Sequence, residues 1–82
     1  MIIEAGRIDH GHHAGMAYKA LTETQELHQT IAWLLTQVDV RETLIVVTAD
    51  HSHTLTLAGY TTRGNPILGE VVGNDSQGRP ET

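Results

Sequence analysis

Leu44-Ile45-Val46-Val47-Thr48-Ala49-Asp50-His51-Ser52-His53 opens as an unbroken apolar, β-branched run and closes on a carboxylate among imidazoles. Apolarity without alternation is the pattern of a parallel strand buried on both faces. Toward the N-terminus, Ile2-Ile3-Glu4-Ala5-Gly6-Arg7-Ile8-Asp9-His10-Gly11-His12-His13 repeats the design, with Gly6 allowing a tight exit from the apolar run. Two strands joined by one helix are normally parallel neighbours linked by a right-handed crossover, so both clusters would fall on one edge of a sheet. The expected fold is therefore α/β, a βαβ unit with strands at residues 1–3 and 44–47. Ligands gather outside the carboxyl ends of such strands. Five of the six histidines lie in these two stretches, and we read them as halves of one metal site.

Between the stretches, Ala17, Ala20, Leu21, Thr24, Leu27, Ile31, Leu34, Leu35 and Val38 follow three-and-four spacing. That predicts an amphipathic helix to about Thr36, with Lys19, Glu23, Glu26 and Gln29 on its outer face. Thr22 and Gln25 have capping-box spacing, which predicts a break near Leu21. Trp33 falls off the stripe and is expected to pack against an element outside these residues, and His28 at the helix margin to be partly buried. Residues 39–43 read as a turn, and the alternation Thr54-Leu55-Thr56-Leu57 as a short strand or an extended loop. Gly59-Tyr60 ends that segment, and Arg63-Gly64-Asn65-Pro66 is turn chemistry. An irregular tail follows from about residue 70, with Gly73, Gly78 and Pro80 and the sequon Asn74-Asp75-Ser76.

At 82 residues the chain holds at most one small domain, and without cysteine neither disulfides nor thiolate–zinc clusters can staple it. A formal charge of −5 and the absence of a Lys/Arg run argue against a nucleic-acid partner. No apolar segment approaches the roughly 20 residues of a membrane span, and no basic-then-apolar leader opens the chain. One helix cannot cover both faces of a buried parallel strand. The whole of residues 1–82 is accordingly expected to be a partial domain, an internal piece of a larger α/β protein.

Oxygen and imidazole donors without sulfur suit zinc at a catalytic site, and a lone carboxylate such as Glu4 suits magnesium. Asp9 and His13 stand four apart, so on a helix beginning near Asp9 they share one face and can grip one ion. Asp50 and His51 are available to a second. Two zinc ions roughly 4 Å apart clamp the attacking and leaving oxygens of a displacement at phosphorus. Each ion would be short of its usual three protein ligands. That shortfall is a second reason to place part of the site outside these residues.

Four motifs in unbroken order, Glu4 to His13, Ala17-Tyr18-Lys19-Ala20-Leu21-Thr22-Glu23-Thr24, Val47 to His53, and Gly59-Tyr60 with Arg63-Gly64, resemble metazoan alkaline phosphatase over roughly residues 2–69. The resemblance implies a central, mostly parallel sheet flanked by helices. It also implies a homodimeric, lipid-anchored glycoprotein at the extracellular membrane face. Its reaction would be hydrolysis of phosphate monoesters through a phosphoserine, with two zinc ions and one magnesium. Matched position by position, Glu4 would ligate magnesium, Asp9 and His13 the first zinc, and Asp50 and His51 the second. His53 would hydrogen-bond a liganding carboxylate such as Asp9 and fix its orientation. The family's nucleophilic serine, its phosphate-binding arginine, further magnesium ligands and one more zinc-binding histidine have no counterpart here. These 82 residues alone are therefore expected to be inactive.

Ser52, between two histidines, reads as a spacer rather than a nucleophile, and Arg63 as an exposed turn residue. His10 and His12 read as supporting or surface residues, since Asp9 and His13 already satisfy the ligand spacing. Two other classes compete. One is a related metallohydrolase such as a phosphodiesterase or cofactor-independent mutase, separated by the Glu4–Asp9–His13 spacing. The other is a non-catalytic or inert polypeptide, which circular dichroism with and without zinc would identify.

Overall fold

A computed structural model describes residues 1–71, 73, 74 and 76–79. Its regular elements among these are two helices, α1 (Arg7–His13) and α2 (Ala17–Gln37). The turn between them follows from local chemistry. Gly15 takes φ +64°, its N–H donates to the His12 carbonyl at 2.9 Å, and the Met16 N–H donates to that of Gly11 at 2.9 Å. This pairing satisfies the orphan carbonyls of a helix end and needs a left-handed residue where glycine stands.

The turn folds α1 back onto α2, and the two touch where both are smallest. Among the described residues Ala20, 2% exposed, is the buried hydrophobic side chain, and Gly11 is buried against it. A Cβ on Gly11 would stand 2.7 Å from the Ala20 backbone nitrogen and 3.0 Å from its Cα. No side chain fits there. The close approach at Gly11 is what sets α1, and with it Asp9 and His13, against the start of α2.

The helix expected from the periodicity is present, and it is continuous. At the anticipated break, the Thr22 hydroxyl donates to the Tyr18 carbonyl one turn back at 2.8 Å instead of capping a new helix. Thr24 and Thr30 do the same to Ala20 and Glu26, and Thr36 bonds the Trp33 carbonyl. Ala17, Leu21, Leu27, Ile31, Leu34 and Val38 form the less exposed stripe, while Thr24 and Leu35 are exposed. Lys19 and Glu23, assigned to the outer face, are half-buried, and His28, expected to be partly buried, is exposed. Gly6 sits as the α1 N-cap at φ −61°, so its conformational freedom goes unused.

The expected α/β architecture is overturned, because the described residues contain no strand and therefore no βαβ unit. Met1 and Ile2 are fully exposed, and Leu44 is 88% exposed in a segment without regular structure. The reason is physical. A parallel ladder needs a paired neighbour on its hydrogen-bonding edge and cover on both faces, and the described residues supply neither to 44–47. Residues 54–57 take the extended-loop alternative, again without strand pairing.

The expected turn after α2 does form. Glu42 and Thr43 N–H groups donate to the Asp39 carbonyl at 3.0 and 2.9 Å, and the Arg41 guanidinium forks onto the Asp39 carboxylate. That fork holds the Asp39 carboxyl below its ordinary pKa. Gly64 at φ +90°, with an Asn65 N–H to Thr62 carbonyl bond, makes the turn at residues 62–65. The radius of gyration is 17.7 Å, against roughly 12 Å for a compact chain of this length, so the residues beyond the hairpin add reach and little packing. Pro80 and the central Asp75 of the sequon lie outside the described residues.

Candidate metal centre

Asp9 and His13 are brought together by helical geometry alone. One turn of α1 places His13 Nε2 3.4 Å from Asp9 Oδ2. Asp50 and His51 are sequence neighbours in a segment without regular structure, and there too His51 Nε2 lies 3.4 Å from a carboxylate oxygen, Asp50 Oδ2. Two ligands on one tetrahedral zinc stand roughly 3.3 Å apart, given metal–ligand bonds near 2.0–2.1 Å. Both pairs have that separation.

The second cluster packs onto the first. His51 Nε2 lies 3.7 Å and His53 Nε2 3.6 Å from Asp9 Oδ1. Asp9 Oδ1 is buried and accepts no hydrogen bond, an expensive arrangement for a carboxylate oxygen unless a cation compensates it. Donor atoms of Asp9, His13 and His53 all lie within 4.8 Å of one another. Carboxylate oxygen, imidazole nitrogen and an orphaned buried acceptor together fit a divalent cation such as zinc.

Tautomers sort the histidines further. A carbonyl can only accept, so the 2.7 Å contact of His51 Nδ1 with the Ser52 carbonyl puts the proton on Nδ1 and leaves the Nε2 lone pair free. The same bond, with the neighbouring Asp50 and Asp9 charges, raises the His51 pKa above its ordinary value. His53 is the reverse case. The Thr54 N–H donates to His53 Nδ1 at 2.8 Å, so the neutral ring carries its proton on Nε2, facing Asp9. Nε2 cannot both keep that proton and bind a cation.

Glu4 stands apart from this cluster. It lines a groove with Ile3, Arg7, Glu23, Glu26 and Leu27, between the N-terminal segment and α2. His10 is exposed. Ser52 contributes through its backbone carbonyl, which sequence reading as a spacer did not anticipate. His12 proves more engaged than expected: Nδ1 donates to the Ile8 carbonyl at 2.8 Å, and its ring stacks on His53. Its signal was available in the i, i+4 relation of His12 to Ile8, which lets a side chain reach back one turn.

A sequence model of the alkaline phosphatase family matches residues 1–82. The chain is 54% identical over 69 residues to the tissue-nonspecific alkaline phosphatase isozyme of Gallus gallus, covering 84% of this chain and 13% of that protein. The Homo sapiens isozyme is 51% identical over 69 residues, with the same coverage of 84% and 13%. A protein named membrane-bound alkaline phosphatase from Bombyx mori is 41% identical over 80 residues, 98% of this chain and 14% of that protein. The chain thus spans about one-seventh of the length of these relatives. No solved structure matches it.

Proposed function

The chain belongs to the alkaline phosphatase family, and from that premise we propose that it carries metal-binding side chains of a phosphate-monoester hydrolase. Asp9 and His13 hold one zinc ion, Asp50 and His51 a second, and Glu4 a magnesium ion. His53 turns Nε2–H toward Asp9 Oδ1 at 3.6 Å, longer than a hydrogen bond, and steadies the carboxylate from there, the role that its tautomer favours over direct ligation. The observation that carries the reading is the buried, unpartnered Asp9 Oδ1 between two carboxylate–imidazole pairs of equal 3.4 Å separation.

Zinc bound there supplies Lewis acidity toward phosphoryl oxygens. The residues of this chain supply orientation and charge. Asp9 and Asp50 offset cationic charge, the Ser52 carbonyl fixes which nitrogen His51 presents, and His53 keeps Asp9 from rotating. No serine in these motifs matches the family's nucleophile. We therefore expect these 82 residues alone to bind zinc without turning over phosphate monoesters, and we assign monoester hydrolysis, a homodimeric state and a cell-surface location to the longer protein of the family. Among the described residues no helix is long and apolar enough to cross a membrane.

Zinc titration against a competing chelator tests the reading. The chain should take up two equivalents, with Asp9→Asn and His51→Ala each weakening uptake by about 100-fold or more, beyond the 10–100-fold typical of supporting partners. A chain indifferent to zinc, or an Asp9→Asn variant that binds as well as the parent, would sink it.

A further inference from the structure

We infer that His12, which the metal assignment leaves unused, is a positioning residue that holds His53 over Asp9. The inference rests on the reading of Asp9 as a zinc ligand. His12 is itself fixed, because Nδ1–H donates to the Ile8 carbonyl one helical turn back at 2.8 Å, which ties down the ring plane. On that face lies the His53 ring, with centroids 5.0 Å apart and planes 21° from parallel. His13 meets the same ring edge-on, with centroids 4.6 Å apart and planes at 83°.

His53 needs such support. It sits in a segment without regular structure, and the Thr54 N–H fixes its tautomer but, being its immediate neighbour, moves with it. The long-range contacts that place the ring come from α1: the stack on His12, the edge of His13, and the facing Asp9 oxygen at 3.6 Å. Of these, His13 and Asp9 are engaged by a metal once it binds. His12 is outside the group of converging donor atoms, and so remains a fixed platform in either state.

The test uses the 82-residue chain, zinc itself as probe in competition with a chelating dye, and ¹⁵N–¹H correlation of the imidazoles in metal-free protein. His12→Ala should weaken zinc binding by about 3- to 10-fold, at or below the range for direct supporting partners. In the same variant the His53 ring signals should move toward those of an unstacked, solvent-exposed imidazole, while the Thr54 N–H keeps its tautomer. His12→Phe, which keeps a flat ring against His53, should stay within about threefold of the parent. Alanine is the best helix former, so loss of binding in His12→Ala with unchanged circular dichroism is not a helix effect.

His12→Ala with parental affinity and an unchanged His53 pattern would overturn the inference while leaving the zinc reading standing. So would His12→Phe failing as badly as His12→Ala. A parent chain that takes up no zinc overturns the assignment of Asp9, and with it the role of His12 in metal binding.

Discussion

Two Asp–His pairs of identical 3.4 Å separation are built by opposite means. Asp9 and His13 stand on consecutive turns of a helix that is wedged against α2, so their distance is a property of backbone geometry. Asp50 and His51 are adjacent residues in a segment without regular structure, Asp50 at a bend, and the Ser52 carbonyl fixes the His51 imidazole. The first pair is therefore preorganised by the hairpin, and the second is held by one short-range hydrogen bond and by its contacts with Asp9. A site assembled this way has one rigid wall and one wall that metal must hold.

The comparison breaks first at Gly11. Gly11→Ala gains about 1 kcal/mol of helix propensity, but its Cβ meets backbone atoms at 2.7 and 3.0 Å that cannot swing aside. Overpacking costs typically 1–3 kcal/mol, and more against backbone. We expect a net loss of about 1–2 kcal/mol, read as an earlier thermal transition at 222 nm, together with weaker zinc binding. A variant that melts at or above the parent would show that the hairpin is not closed at this point. Gly15→Ala should cost about 1 kcal/mol through the left-handed backbone at φ +64°, since nothing crowds its Cβ. A melt unchanged within 0.2 kcal/mol, on the order of curve-fitting error, would argue that the turn relaxes.

His51 probes the other wall. Its pKa is raised, chiefly by the Ser52 carbonyl and then by Asp50. A raised folded value means that protonated His51 favours the folded segment at pH below its ordinary 6.5, and that this contribution disappears as pH rises through the elevated value. Zinc competes with that proton, so its affinity should fall with acidification beginning above pH 6.5. An NMR titration of metal-free protein should place the His51 midpoint above that of a free imidazole, and Asp50→Asn should lower it without restoring the ordinary value. A midpoint at or below the ordinary value would contradict the Nδ1–carbonyl bond. The smallest effect belongs to Val46, 73% exposed in the apolar run. Val46→Thr should move stability by less than about 0.5 kcal/mol. A loss of 1 kcal/mol or more, the size of a buried methyl, would mean that residues 44–47 are covered in solution.

Legibility followed the same divide. Helical spacing gives α2 almost to its last residue and places Asp9 and His13 on one face, because three- and four-residue periodicity is a local property. Residues 44–47 were read as a strand on composition alone. Apolar, β-branched sequence says that a segment would suit a buried sheet, but pairing depends on neighbours that composition does not name. The role of Gly11 was not legible either, since a glycine within a helix reads as a weakness until a second backbone is found against it. For His53, sequence resemblance suggested support of a carboxylate; the Thr54 N–H supplies a physical basis for that reading, and zinc titration is the measurement that decides it.

The threonines of α2 carry one more consequence. With Thr22, Thr24, Thr30 and Thr36 all returning their hydroxyl protons to the backbone, those groups are withdrawn as donors to water. Their oxygens stay open as acceptors, as Thr36 shows in taking the Gln37 side-chain N–H at 3.0 Å. Along these positions the helix therefore presents water with acceptors and few donors, and a partner that hydrogen-bonds there must bring its own protons.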